Sequence, residues 1–207
     1  MNQTQDFTKG VIWKQLLFFF FPILIGSFFQ QLYNTVDTII VGQTVGTSAL
    51  AAVGSTGNLT NLIINFYVGL STGASVVIAQ YYGAQNNKKI HQAVHTSYSL
   101  AIVSGILMML FGLFFSYQCL DAIGTPHDIL NDATLYMQLY FLCMIPGAIY
   151  NIGAGILRAV GDSKRPLYYL IVCSIVNVVF DFIFVVIFHQ GIAGAAIATV
   201  IAQFVCA

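Results

Sequence analysis

Long apolar runs separated by short polar breaks dominate this chain, and none shows the two-residue alternation of a half-buried strand. In a bilayer every backbone N–H and C=O must be satisfied within the protein, so unbroken apolar runs of ~20 residues or more predict helices and not a barrel. Six spans follow, approximately at 16–41, 48–82, 93–117, 129–157, 167–188 and 191–207. The last runs only about 16 residues past Gly191, short of the ~20 that cross the bilayer core, so we expect a fragment or a truncated form. Pro22 in the first span and Pro146-Gly147 in the fourth predict kinks, because proline removes a helical hydrogen bond and crowds the preceding turn. A kink at Pro22 is also a candidate hinge. In the sixth span Gly191 with Ala195, and Gly194 with Ala198 and Ala202, repeat at four-residue spacing, which predicts close helix packing.

Composition turns these spans into an integral membrane protein. Hydrophobic residues make up 58% and charged residues 7% of the chain, with a mean hydropathy of +0.83, against roughly 25% charged in soluble domains. The net charge is zero and no basic block exists, which leaves no electrostatic footprint for nucleic acid. The charges are sorted by topology. Lys9 and Lys14 precede the first span, Lys88 and Lys89 follow the second, and Arg158, Lys164 and Arg165 follow the fourth. The positive-inside rule then puts the N-terminus in the cytoplasm of a multi-pass protein, with the loops at 42–47, 118–128 and 189–190 facing outward. Cys119, Cys143, Cys173 and Cys206 form no CxxC pair and read as packing residues.

Two carboxylates break the apolar pattern. Asp37 lies in the first span and Asp181 in the fifth, flanked by Phe180 and Phe182. An ionised carboxylate in hydrocarbon is costly, so such residues face a bundle interior or a wet cavity and often mark a transport route. Asn177 stands one turn before Asp181 on the same face. Gln30, Asn34 and Asp37 follow one face of the first span, and Asn58, Asn61 and Asn65 one face of the second, as two candidate linings of a polar pathway. His91 and His95 have a helical metal spacing but no third ligand nearby in sequence. No metal is expected beyond a possible sodium ion. The glycines at 153, 155 and 161 follow no strand, so no nucleotide fingerprint exists and no cofactor is expected.

Taken in order, these residues resemble the MATE family of multidrug and toxic compound extrusion antiporters. The likeness rests on Pro22, the run Gln30-Gln31-Leu32-Tyr33-Asn34 leading to Asp37 and Val41-Gly42, and the stretch from Ala49 to Ala52. It continues with Gln80 and Gly83-Ala84, Leu157-Arg158 with Gly161-Asp162 and Pro166, Asn177 with Asp181, and the run from Gly194 to Thr199. The resemblance implies an all-α bundle of six transmembrane helices, half of a twelve-helix, two-lobe transporter. Residues 1–207 would form its N-terminal lobe, and a C-terminal lobe would be the missing partner, since alternating access rocks one repeat against the other. It further implies a cation- or proton-binding pocket of Asp37, Tyr136, Asn177, Asp181 and Thr199.

The implied function is secondary active transport, not enzymatic catalysis: H⁺ or Na⁺ exchanged for small organic, often cationic, toxic compounds across the cytoplasmic membrane. Three rivals stand beside it, one of them a purely structural or scaffolding membrane protein, which would not bind an organic cation in competition with acid or sodium. A lipid or oligosaccharide flippase of related architecture would be expected to show a large cationic cavity, but no Lys or Arg lies within a span and Arg158 sits at a helix end on the cytoplasmic side. An intramembrane aspartyl protease would pair the two aspartates, but neither has the Gly-x-Gly-Asp setting that such enzymes resemble.

Overall fold

The computed structural model describes residues 11–207; Lys9, counted above with the basic residues, lies outside them. The described chain forms α1 (Ile12–Thr44), α2 (Thr47–Gly83), α3 (Asn87–Ala122), α4 (His127–Leu142), α5 (Met144–Ala159), α6 (Lys164–Asp181) and α7 (Gly191–Cys206). A π-helical segment, Phe182–Ile187, continues α6. The six expected spans are all present as helix, in the expected order. The first three are longer than foreseen, at 33, 37 and 36 residues. At 1.5 Å per residue they reach about 50–55 Å, beyond the ~30 Å of hydrocarbon.

The fourth span divides into α4 and α5, which bend by 50° across a one-residue break at Cys143. The expected kink therefore falls three residues ahead of Pro146. The cause is still the proline: it cannot donate to Leu142, four residues back, and its ring disfavours helical continuation through that turn. Proline is tolerated in the first turn of a new helix, and that is where Pro146 sits in α5. Pro22, by contrast, lies inside an uninterrupted α1.

The π-helical segment was not foreseen. Its wide turn is visible in the Phe188 N–H, which donates to the Ile183 carbonyl five residues back at 2.9 Å. Such segments recur at functional sites, and this one begins at the residue after Asp181.

Packing explains which small residues matter. α2 lies on α5 and α3, α3 also on α4 and α5, α7 on α6 and α4, and α1 chiefly on α6. At Gly194 a Cβ would press against the backbone of Phe184 at 3.1 Å, so α7 meets the π-helical segment main chain to main chain. At Gly112 a Cβ would collide with the ring of Phe141. The core runs through Leu120, Met137, Ala148 and Ile152, all nearly inaccessible. α1 lies at the rim, with Phe18, Phe21 and Phe28 about 60% exposed, as befits a lipid-facing helix.

Lys14 at the start of α1, Lys88 and Lys89 at the start of α3, Arg158 at the end of α5 and Lys164 and Arg165 at the start of α6 share one end of the up-and-down bundle. This basic end carries a single described carboxylate, Asp162. Its Oδ1 accepts from the Lys164 and Arg165 N–H groups at 3.1 and 3.2 Å, and its Oδ2 pairs with Arg165 Nε at 3.1 Å.

Candidate functional site

The half of the bundle away from the basic end holds a sealed polar pocket. Asn177 and Asp181, one turn apart on α6, are 1% and 0% exposed. Opposite them on α7, Thr199 Oγ1 stands 3.4 Å from Asn177 Nδ2, which donates to it, and itself donates to the Ala195 carbonyl at 3.1 Å. Neither carboxylate oxygen of Asp181, nor Asn177 Oδ1, receives a hydrogen bond from any described group. Such unmet acceptors are costly when buried, at about 1–3 kcal/mol or more each, and so need explaining.

Tyr136 of α4 is buried, and lies within electrostatic reach of Asp37 and Asp181 and they of each other. Asp37 is half-buried with one enclosed, unpartnered oxygen. The five residues Asp37, Tyr136, Asn177, Asp181 and Thr199 are thus drawn together from α1, α4, α6 and α7. What they offer is a set of hard oxygen acceptors around a buried carboxylate, suited to a proton or a small hard cation.

Beside this pocket a cavity of about 780 Å³ opens between α1 and α2, backed by α5, α6 and the end of α7. Its size falls within the ~300–1,000 Å³ range of ligand sites. Pro22, Gln30 and Tyr33 of α1 line it, together with Tyr140, Asn151 and Arg158. A tyrosine layer separates the two spaces: Tyr33 and Tyr140 lie on the cavity wall, and Tyr140 stacks on the pocket's Tyr136 with ring centroids 6.3 Å apart.

The polar positions of α1 and α2 divide differently from the sequence reading. On α1 the inward stripe is Phe19, Ile23, Gly26, Gln30 and Tyr33, and Asp37 continues its three-then-four spacing; Asn34 is exposed to one side. Asn58, Asn61 and Asn65 share an exposed face of α2 and lie off the cavity wall, which α2 lines instead with Ile63, Tyr67, Thr72 and Ser75.

Arg158 is the largest departure. It stands in the last turn of α5, the helix end expected of it, and in addition lines this cavity, which was not foreseen. The signal was available: Gly147, Asn151, Ala154 and Arg158 recur at helical spacing, so whatever Asn151 faces, Arg158 faces two turns on. His91 and His95 stand side by side on an exposed part of α3, with ring centroids 4.4 Å apart and ring planes tilted by 50°. Among the described residues no three His, Cys, Asp or Glu side chains come together as metal ligands.

A family model described as MatE matches residues 22–183. A probable multidrug resistance protein, YoeA of Bacillus subtilis, is 31% identical over 202 residues, covering 96% of this chain and 44% of the relative. Two solved structures are similar over the whole chain at 28% identity. One is a MOP superfamily transporter from Pyrococcus furiosus, described as having a binding pocket of reverse polarity that suggests a different function, with a TM-score of 0.92 and 45% of that chain covered. The other is a MATE protein in a straight conformation, with a TM-score of 0.91 and 46% covered. The chain thus spans a little under half the length of the relatives it matches.

Proposed function

Because this chain belongs to the MatE family of multidrug and toxic compound extrusion transporters, we propose that residues 1–207 act as the N-terminal lobe of a cation-coupled efflux antiporter. The lobe sits in the cell membrane with its N-terminus in the cytoplasm and works against a second lobe. It exchanges H⁺ or Na⁺ for organic cations and other toxic compounds.

One observation carries this reading: Asp181 is fully enclosed, with both oxygens unmet and the unmet Asn177 Oδ1 one turn away. An isolated buried charge is far costlier than a neutralised one, so the pocket is stable only when it holds a proton or a cation. A proton neutralises Asp181 directly. A sodium ion would draw on Asp181, Asn177 Oδ1 and Thr199 Oγ1, with Tyr136 and Asp37 completing the shell. Because the two aspartates sense each other, they load as a coupled pair.

Cargo enters through the cavity past Gln30 and Tyr33, and the exposed Asn34, Asn58, Asn61 and Asn65 line the path between this lobe and the second. Pro22 lies on the cavity wall in a helix that has lost one hydrogen bond, which makes it the natural hinge for bending α1 over the cavity. Loading the pocket biases α1 between two positions, and cargo feels that bias through the tyrosine layer.

The test is gradient-driven efflux of a cationic dye from vesicles containing a two-lobe transporter that carries this lobe. Asp37→Asn and Asp181→Asn should each abolish it. Unchanged efflux in both variants would remove the pocket from the mechanism. Collapsing the proton and sodium gradients separately identifies the ion.

A further inference from the structure

Among the described residues, Arg158 is the one charged side chain on the cavity wall, and no described aspartate or glutamate lines it. No described carboxylate is available to it. Asp162, the sole described acid at this end, is engaged by Arg165 and by the first N–H groups of α6, and Arg158 itself has no ion pair or hydrogen bond to a described side chain. A guanidinium stays charged, and setting it half-buried into a largely aliphatic and aromatic wall with no counter-charge from the described residues is unfavourable. α6 also starts at this end through Ser163, another wall residue, so its helix dipole adds positive potential there.

We propose that the basic end of the cavity binds an anionic amphiphile. A carboxylate or phosphate head group is held by Arg158 in a two-pronged ion pair. The hydrocarbon tail lies along Leu16, Phe19, Ile23 and Leu167, between α1 and α6. Pocket and cavity are then opposite in preference: the carboxylates of Asp37 and Asp181 in the neighbouring pocket attract cations, and Arg158 on the cavity wall selects anions. This inference rests on the cavity being a ligand chamber, as proposed above, and not on ion coupling. An equilibrium measurement without any gradient tests it separately.

Purified protein in a neutral detergent is titrated with oleate and, as its uncharged counterpart, oleyl alcohol. Oleate should bind roughly tenfold or more tightly, Arg158→Gln should erase that preference, and Arg158→Lys should keep part of it. Lys89→Gln, at the same end but off this wall, should change oleate affinity by less than about twofold. Equal binding of oleate and oleyl alcohol, or a preference that survives Arg158→Gln, overturns the proposal.

If Arg158→Gln fails to fold, Gly147→Leu takes its place. A Cβ at Gly147 meets nothing nearer than Gln203 at 3.8 Å, so the new side chain grows into the cavity. Loss of oleate binding supports the site, and full retention overturns it. Phosphatidylglycerol against phosphatidylcholine separates a bilayer lipid from a free acid: whichever anion depends on Arg158 is the occupant, and dependence of neither overturns the site. Inorganic phosphate competing as well as either amphiphile would reduce it to a simple anion site and overturn the tail's role.

Discussion

The sealed pocket around Asp181 and the open cavity ending at Arg158 lie in one lobe and handle charge in opposite ways. Among the described residues, Asp181 is fully enclosed with acceptors to spare and no donor, whereas Arg158 is half-exposed with donors to spare and no acceptor. A closed site of acceptors suits a proton or bare ion that leaves its water behind. An open site of donors on an apolar wall suits a larger, partly hydrophobic anion that keeps its tail in a chamber. The tyrosines at 33, 136 and 140 stand between them, so each site can sense the other without sharing a ligand.

Exchanging one group at a time is the strongest way to break this contrast. Asp181→Asn should lower ion-driven efflux by about 100-fold or more, the scale of losing a group the mechanism depends on; Arg158→Gln should leave the ion dependence of any remaining efflux intact. Both variants losing ion dependence equally would show one site where we describe two.

Next in size is packing. Gly194→Val forces a side chain onto the Phe184 backbone and should destabilise the protein by about 1–3 kcal/mol, read as a lower melting temperature, while also weakening ion binding at Asp181 through the displaced π-helical segment. Gly112→Ala pushes on the Phe141 ring between α3 and α4, away from α7 and the π-helical segment, and should lower the melting temperature with a smaller effect on ion binding. Equal effects on ion binding would contradict the tie between α7, the π-helical segment and the pocket.

A smaller effect is expected where a hydrogen bond alone is removed. Thr199→Val keeps shape but deletes the acceptor for Asn177, and should weaken ion binding severalfold, on the order of 1 kcal/mol. Smallest of all, Ala at Asn61 or Asn65 should leave the lobe's stability within about 0.5 kcal/mol, because both are exposed; a large loss of stability would show that this face is packed within the lobe.

Much of this was legible in the residues. Period and length gave six helical spans, and the scarcity of acids within them singled out Asp37 and Asp181, since a carboxylate among phenylalanines has few structural uses. Asn177 followed from one helical turn, and Tyr136 and Thr199 from the family resemblance. What could not be read depended on helices meeting. The break at Cys143 shifted from Pro146 because proline's missing bond is made four residues upstream. The π-helical turn after Asp181 has no local signature; it lies where Gly194 of α7 lets the two main chains meet at Phe184. Arg158 is at the helix end that was read, but that this end also forms a cavity wall appears only once α5 is placed against α1 and α6. The asparagines of α2 share a face, but which face turns inward is decided by Ile63 and Tyr67 packing in the core.

The central claim is that the Asp181 pocket holds an exchangeable cation. Its most direct measurement is ion release from a purified two-lobe transporter carrying this lobe, when a cationic substrate is added in weakly buffered solution. Linkage between the sites predicts release of about one proton, or one sodium ion, per protein, and none from Asp181→Asn. Equal release from the wild type and Asp181→Asn, or release from neither while substrate still binds, would contradict it.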